Sequence, residues 1–502
     1  ALPILRDFAR RVLLSEETFQ EDGNTFVNMF SGEWSGTSKL NKYDLSSMYF
    51  NYAGSIYSQN FPIIDIVMNT MLKQEESTQG RHFFRMFNGM GDDQRAAAYL
   101  NGKSFEQAVL DNTLSTEVFY EMMKLKGVYL RNYINSRLSS NEFKEFMAEF
   151  MKKYQFQEVN FTRLNSEFIR KFHFNLMDFI PNWYTINSTP RFIVKGVDAD
   201  QVEIGDYTKY IVKFQVYNPT NVEGVISVNV EEGGGMFPGG PRGRRGRAAQ
   251  MESKPAKNYI IEPRKYKEIR ILCDERPSNL TINTNISQNL PSTIMQNFAK
   301  VTTTTTDTVT GIFDSNAALF TFNPKEITVD NEDPGFRIIE SNQKNKLQSF
   351  FKKESEDKYK NLNFWMPPSK WTATIGVNYY GDYINSAVYK KSGSGSNKTE
   401  WTTQIQIPGF YEVFVYTSEL PMMGWRRRGS EEKKMQYYTV KHDDGEEEIS
   451  VETGRGRQGW MTLGSFYFSA GEAKITLSDK GSESNQIIFA DAVKWVYTNN
   501  NK

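Results

Sequence analysis

The sequence predicts a multidomain α+β protein: an N-terminal all-α domain, then a small β-sandwich, then a second all-β jelly-roll or sandwich domain. Three observations predict it. Apolar residues recur at three- and four-residue spacing up to about residue 190. From Pro190 onward they alternate or run in short β-branched and aromatic stretches separated by turns. The 502 residues are enough for two to four domains of ~100–200 residues each. The domains are expected at 1–190, 191–312 and 313–502.

The clearest helix is 141–155, where Phe143, Phe146, Met147, Phe150, Met151 and Tyr154 form one apolar stripe. Ser140 or Asn141 is expected to cap its start. Leu164, Phe168, Ile169 and Phe172 repeat the spacing, as do Leu176, Phe179, Ile180 and Trp183. Residues 119–138 form another helix with Gly127 inside it. That glycine costs about 1 kcal/mol relative to Ala, so a close packing partner is expected. Pro62 and Pro181 mark turns or first-turn positions. Strands at 192–194, 210–217, 225–230, 268–273 and 280–283 build the small sandwich. Residues 233–247, rich in Gly, Arg and Pro, read as a solvated, protease-sensitive hairpin loop, with an RGG-like nucleic-acid contact and a partner or anionic-surface contact as other readings. Residues 287–298 read as a short helix, and the threonines at 302–306 as an extended linker or edge strand. Residues 344–360 form a charged helical insertion. The remainder is β, with strands at 375–378, 401–407, 411–416, 436–442, 447–451, 460–468, 473–478 and 487–496.

The hydrophobic fraction is 39% and the charged fraction 24%, which allows large cores and argues against disorder. Aromatics reach 14%, favouring packed sheets and aromatic-studded surfaces over long coiled coils. Lys plus Arg and Asp plus Glu both number 60, so the net charge is zero and nucleic acid is not an expected partner. No stretch approaches the ~18 consecutive apolar residues of a membrane span, so no transmembrane segment is expected. The sole cysteine, Cys273, excludes a disulfide framework and a Cys-rich zinc module. It suits a reducing compartment and a thiol-poor Gram-negative envelope equally. The start at Ala1, without Met or a signal peptide, reads as a processed chain or a piece of a longer one.

No catalytic set is recognisable. There is no HExxH, and His82, His173 and His442 are too far apart in sequence for an all-His site. His82 reads as structural or surface, His173 as core or interface between Phe172 and Phe174, and His442 as exposed before the turn Asp443-Asp444-Gly445. There is no GxSxG elbow, and Gly233-Gly234-Gly235 lacks the Lys-Ser/Thr and helix of a phosphate loop. Asp330-Asn331-Glu332-Asp333 gathers oxygen ligands suited to calcium, but without EF-hand spacing; an Asx-bonded turn is the expected reading. No metal or cofactor is therefore assigned. The remaining resource is aromatic: Trp365, Trp371, Tyr379, Tyr380, Tyr383, Trp401, Trp425, Trp460 and Trp495 concentrate in the last domain. Buried ones fill a core and exposed ones stack on sugar rings. Trp425, beside Arg426-Arg427-Arg428, is the leading contact, with Tyr380, Tyr383 and Trp401 beside it as binding candidates.

Two ordered motif series carry resemblances. The first holds Val329-Asp330-Asn331-Glu332, Gly335-Phe336, Tyr380-Gly381-Asp382-Tyr383 and Gly393-Ser394-Gly395 up to Trp401. It continues with Gly409-Phe410-Tyr411-Glu412-Val413, Gly459-Trp460-Met461-Thr462-Leu463-Gly464, Ile475-Thr476-Leu477-Ser478-Asp479 and Ala490-Asp491-Ala492-Val493. Residues 329–497 thereby resemble the golvesin C-terminal-like domain, which also occurs on xanthan lyases as a carbohydrate-binding β-sandwich. The Arg- and Glu-rich loop at 425–434 replaces a shorter connection of that family.

The second series runs Lys126-Gly127, Tyr129-Leu130, Phe143, Phe146, Lys153-Tyr154-Gln155-Phe156, Phe168, Phe179-Ile180, Trp183-Tyr184 and Pro190. It is similar to the late catalytic domain of gluzincin (alanyl-aminopeptidase) metallopeptidases, covering 110–295. The resemblance implies a zinc site elsewhere and a transition-state Tyr where this chain has Lys124. Asp22 stands where the family's Glu segment would lie, and 1–11 carries no HExxH.

The two resemblances together imply a non-catalytic, degenerate aminopeptidase-like protein of the bacterial cell envelope, periplasmic or surface-exposed. The domain pairing resembles envelope proteins of Bacteroidota. Such a chain would bind or scaffold within an envelope protein complex. One alternative is the C-terminal portion of an active zinc aminopeptidase, whose HExxH helix and zinc cofactor would lie upstream of Ala1. The other is a polysaccharide-binding protein.

Overall fold

In the computed structural model, residues 56–61, 64, 67, 92–154, 159–233, 256–298, 301, 303–340, 358–363, 365–418, 434–454, 457–483 and 485–498 are described. Asp22, His82, Trp425, most of the 233–247 loop and most of the 344–360 insertion lie outside them.

The described helices begin, in four cases, where Ser104, Ser115, Ser139 or Asn160 satisfies a free N–H group. They are α1 (Asp92–Leu100), α2 (Phe105–Leu110), α3 (Thr116–Asn135), α4 (Ser140–Lys153), α5 (Phe161–Phe172) and α6 (Ile180–Thr185). Strand β1 (Ile56–Tyr57) pairs in parallel with β2 (Val159–Asn160) between them. Ser115 caps α3, which therefore starts earlier than its apolar stripe. The cap of α4 is Ser139, not Ser140 or Asn141. Only Ser139 stands three residues before Glu142, whose N–H bonds back at 3.2 Å while its carboxylate accepts from Ser139 N at 3.0 Å. Pro181 sits in the first turn of α6. Phe105, Phe119, Phe146, Phe168 and Trp183 fill the core. His173 is not in the core: it is the left-handed C-cap of α5 (φ 54°), with its side chain exposed.

The first sandwich uses β3 (Ile193–Ile204), β4 (Tyr207–Tyr217), β5 (Gly224–Glu232), β6 (Lys257–Ile261), β7 (Tyr266–Cys273), β8 (Pro277–Asn283), β9 (Thr293–Asn297), β10 (Thr303–Thr305) and β11 (Gly311–Asp314). One sheet has the order β10-β3-β4-β7-β11, the other β6-β5-β8-β9. Alternate residues such as Phe214 and Ile269 meet Ile226 and Ile282 between them. The expected helix at 287–298 is instead a loop running into β9. Pro291 cannot donate to a helix, and Ile294 pairs with Ile282 across the sheet. The threonine run supplies an edge strand, parallel to β3.

The second β-unit follows with β12 (Glu326–Val329), β13 (Phe336–Ile339), β14 (Thr372–Ile375), β15 (Ser386–Lys391), β16 (Lys398–Ile405), β17 (Gly409–Thr417), β18 (Lys434–His442), β19 (Gly445–Thr453), β20 (Gly459–Phe468), β21 (Gly471–Gly481), β22 (Ile487–Ala490) and β23 (Val493–Thr498). Sheets β12-β23-β17-β20 and β13-β16-β21-β18-β19 enclose Trp401, Tyr411, Tyr438, Ile475 and Trp495. The small sheet β14-β15-β22 packs Tyr379, Tyr389 and Phe489 into a separate cluster. The single strand expected at 487–496 is two strands in different sheets, because the chain turns at the buried pair Asp491-Ala492. The outer edge of the five-stranded sheet is β19, with Glu446, Glu447 and Glu448 exposed. His442 is not exposed as expected; its ring packs on Phe466 at 5.0 Å.

Polar joints tie the three units. Asn132 Nδ2 of α3 donates to Asn285 Oδ1 at 2.7 Å, and Asn285 Nδ2 to Val225 O at 2.8 Å. Between the sandwiches, Leu290 N donates to Tyr383 O at 2.9 Å, and Lys195 lies 3.5 Å from Asp382. The Arg191 guanidinium lies 4.0 Å over the Tyr383 ring and donates to Gln288 Oε1.

Candidate functional site: an aromatic sheet face

Along β17 the odd-numbered Tyr411, Val413 and Val415 are buried, so Phe410, Glu412, Phe414 and Tyr416 all point outward. Pairing brings more rings to the same face. Phe410 faces Tyr467 and Tyr416 faces Trp460 across the β17–β20 ladder. Phe410 and Tyr467 meet edge-to-face at 5.4 Å, Tyr416 and Trp460 at 5.3 Å. Tyr380 joins the second pair, 5.1 Å from Trp460 and 5.7 Å from Tyr416. Lys494 of β23 lies 4.6 Å over the Trp460 ring and 5.6 Å from that of Phe414. At a strand rise of ~3.4 Å, the line from Phe410 to Tyr416 spans about 20 Å. Phe410 is 39% and Tyr467 38% exposed, which leaves their rings open to a ligand. Burial pushes the Tyr416 phenol up to about 12, so the hydroxyl stays protonated as a donor.

Under the Tyr380 end lies a group of carboxyls. Tyr380 N donates to Asp491 Oδ2 at 3.2 Å, and Ser418 Oγ stands 3.3 Å from the same oxygen. The other oxygen, Asp491 Oδ1, is buried without a hydrogen-bond partner among the described residues. Burial and the neighbouring Asp330 hold the Asp491 carboxyl well above the ordinary range. Burial also pushes Asp330 up, to about 8, against the Asn331 N–H that favours its charged form. The 330–333 segment is the expected Asx-bonded turn: Asp330 N donates to Asp333 Oδ2 and Asn331 N to Asp330 Oδ1, both at 2.8 Å. Glu332 accepts from Ser386 Oγ at 2.7 Å and Tyr359 OH at 3.1 Å. Among the described residues, no group of three or more His, Cys, Asp or Glu is placed to hold a metal ion. Nor is any described helix long and apolar enough to cross a membrane.

Of the residues singled out from the sequence, Tyr380 lies at this face. Trp401 does not: it is 1% exposed, in the core, with Nε1 donating to Asp491 O at 3.0 Å. Its place opposite Phe336 in the β13–β16 ladder turns it inward. Tyr383 is covered by Arg191 at the joint between sandwiches. Lys124 pairs with Glu121 at 2.7 Å and lies 4.1 Å over the Tyr120 ring on the helical unit. Sequence reasoning missed Phe410, Phe414, Tyr416 and Tyr467. The available signal was the strict alternation of β17, in which every second, outward residue but Glu412 is aromatic.

Residues 361–497 match the golvesin C-terminal domain family. No curated protein matches the chain. Among solved structures, a Paenibacillus xanthan lyase is 14% identical, with 62% of this chain and 26% of that chain covered and a TM-score of 0.25. An Arthrobacter globiformis isomalto-dextranase, solved with panose, is 9% identical over 73% and 47% of the two chains, TM-score 0.20. An exo-β-1,3-galactanase of Phanerochaete chrysosporium, solved with a galactotriose, is 16% identical over 26% and 27%, TM-score 0.17. The chain thus spans about a quarter of the xanthan lyase. None of these likenesses is close enough to define the fold, and nothing in them supports the gluzincin resemblance of 110–295.

Proposed function

We propose that the chain is a non-catalytic polysaccharide-binding protein of the bacterial envelope, and that its golvesin-type unit holds the glycan on the outer face of the β12-β23-β17-β20 sheet. The observation that carries this reading is the file of outward rings, Phe410, Phe414 and Tyr416, flanked by Tyr467 and Trp460. Pyranose rings present C–H faces that pack on aromatic planes, while Glu412 and Lys494 offer hydrogen bonds to sugar hydroxyls. The matching golvesin family over 361–497 supports the same reading. The scaffolding role expected from the aminopeptidase resemblance has no comparable support.

Affinity electrophoresis through gels containing xanthan or another acidic exopolysaccharide tests it. The parent chain is expected to be retarded. Trp460→Ala and Tyr467→Ala are each expected to weaken retention about two- to twelvefold, the loss of one aromatic contact of ~0.5–1.5 kcal/mol. Trp401→Phe, a change inside the core, is expected to leave retention unchanged. Equal retention of parent, Trp460→Ala and Tyr467→Ala would remove this face as the site.

A further inference from the structure

A cavity of about 270 Å³ lies between the helical unit and the first sandwich, away from the aromatic face. Leu100, Tyr129, Phe179, Trp183 and Ile286 make most of its wall apolar. Two polar groups in that wall are incompletely satisfied. Lys126 is 3% exposed, and its Nζ donates to Trp183 O at 2.5 Å, which among the described residues leaves two of three donors unused. Its nearest rings, Trp183 at 5.4 Å and Phe105 at 5.7 Å, offer only their faces. Among the described residues no carboxylate lies within ion-pair distance of it. The second group is the Thr189 hydroxyl, 3% exposed and without a hydrogen-bond partner among the described residues.

A buried ammonium without a counter-ion among the described residues and an unpartnered hydroxyl, both in the wall of one cavity, are costly when empty and suited to an oxygen anion. The apolar wall suits an apolar body on that anion, and the volume limits it to a small metabolite. We propose that this cavity binds a small organic carboxylate with an apolar body, its carboxylate accepting hydrogen bonds from Lys126 Nζ and Thr189 Oγ1. The proposal does not depend on glycan binding.

Burial pushes the Lys126 ammonium down to about 7. A carboxylate beside it favours the charged form, so binding at pH 8 takes up a proton. The other titratable groups of the wall are Tyr129 and Glu223, both acids that burial raises, so Lys126 is the group of this lining able to carry positive charge.

The test is calorimetric titration of benzoate into the full chain at pH 8, in Tris and in a sulfonate buffer so that proton uptake is read directly. Saturable binding with uptake approaching one proton is expected, with benzyl alcohol failing to bind. Lys126→Met should weaken benzoate at least tenfold, and Thr189→Val several-fold. Thr189→Val keeps the side-chain shape and removes only an unpartnered hydroxyl, so it folds at least as well as the parent. It keeps the test decisive where Lys126→Met fails to fold. Absence of saturable binding, binding without proton uptake, or binding unchanged in Thr189→Val would overturn the proposal.

Discussion

Asp491 pays for its position: it is 2% exposed, faces another acid and, among the described residues, leaves one oxygen without a partner. Both Asp491 and Asp330 hold protons more tightly folded than unfolded. Their contribution to stability is therefore complete below the ordinary carboxylate range, about pH 4, and is lost as pH rises through the folded values, about 8 for Asp330. Asp491→Asn keeps an oxygen for Tyr380 N and supplies a neutral donor toward Asp330. It is expected to raise stability at pH 8 by about 1–2 kcal/mol and to change little at pH 4.5, as read by thermal unfolding at both values. The sequence shows an acid inside an apolar stretch; only the turn between β22 and β23 explains why it points inward. Trp401 teaches the converse. Its residue type suggested a sugar platform, whereas strand register decided that it would be core.

At the scale of elements, distant motifs meet. Gly393 N donates to Asp479 O, and Gly395 N to Asp479 Oδ1, both at 2.7 Å. Asn397 Nδ2 and the buried Lys390 ammonium complete the Asp479 carboxylate. Burial alone would raise Asp479; the Lys390 and Asn397 bonds override it and hold the carboxyl below its usual value. A Cβ at Gly393 would stand 2.4 Å from Asp479 Oδ2, so the position admits no side chain without movement. Lys390→Met leaves a buried carboxylate without its cation and is expected to cost about 3–5 kcal/mol, measured by urea denaturation. The Asp479 contribution is present above the unfolded carboxylate pKa and falls away as pH drops through the lower folded value. The β-strands of this unit were legible from alternation and turn residues. That its Gly-Ser-Gly and Ser-Asp segments close one buried ion pair was not, since 84 residues separate Gly395 from Asp479.

Across the whole molecule, periodicity changes from helical to strand at Pro190, and among the described elements α6 ends at Thr185 and β3 begins at Ile193. The joints were illegible, because they use single polar side chains that carry no period. Arg191 serves both sandwiches, through Gln288 on one side and the Tyr383 ring on the other. Arg191→Ala is expected to loosen the two units from each other, so that one calorimetric unfolding transition divides into two. Retention of a single transition would show that the remaining bonds, Leu290 N to Tyr383 O and Asn385 N to Leu290 O, suffice.

The acidic border strand β19 has a consequence for life at high concentration. A second molecule laid alongside would continue the sheet and set Glu446, Glu447 and Glu448 against their own copies. Like charges in such register repel, so the backbone of this border, unpaired among the described residues, is withheld from templated self-association. Replacing the three with threonine should leave the fold intact and turn the protein into one that forms fibrils on standing, visible as seeded thioflavin fluorescence.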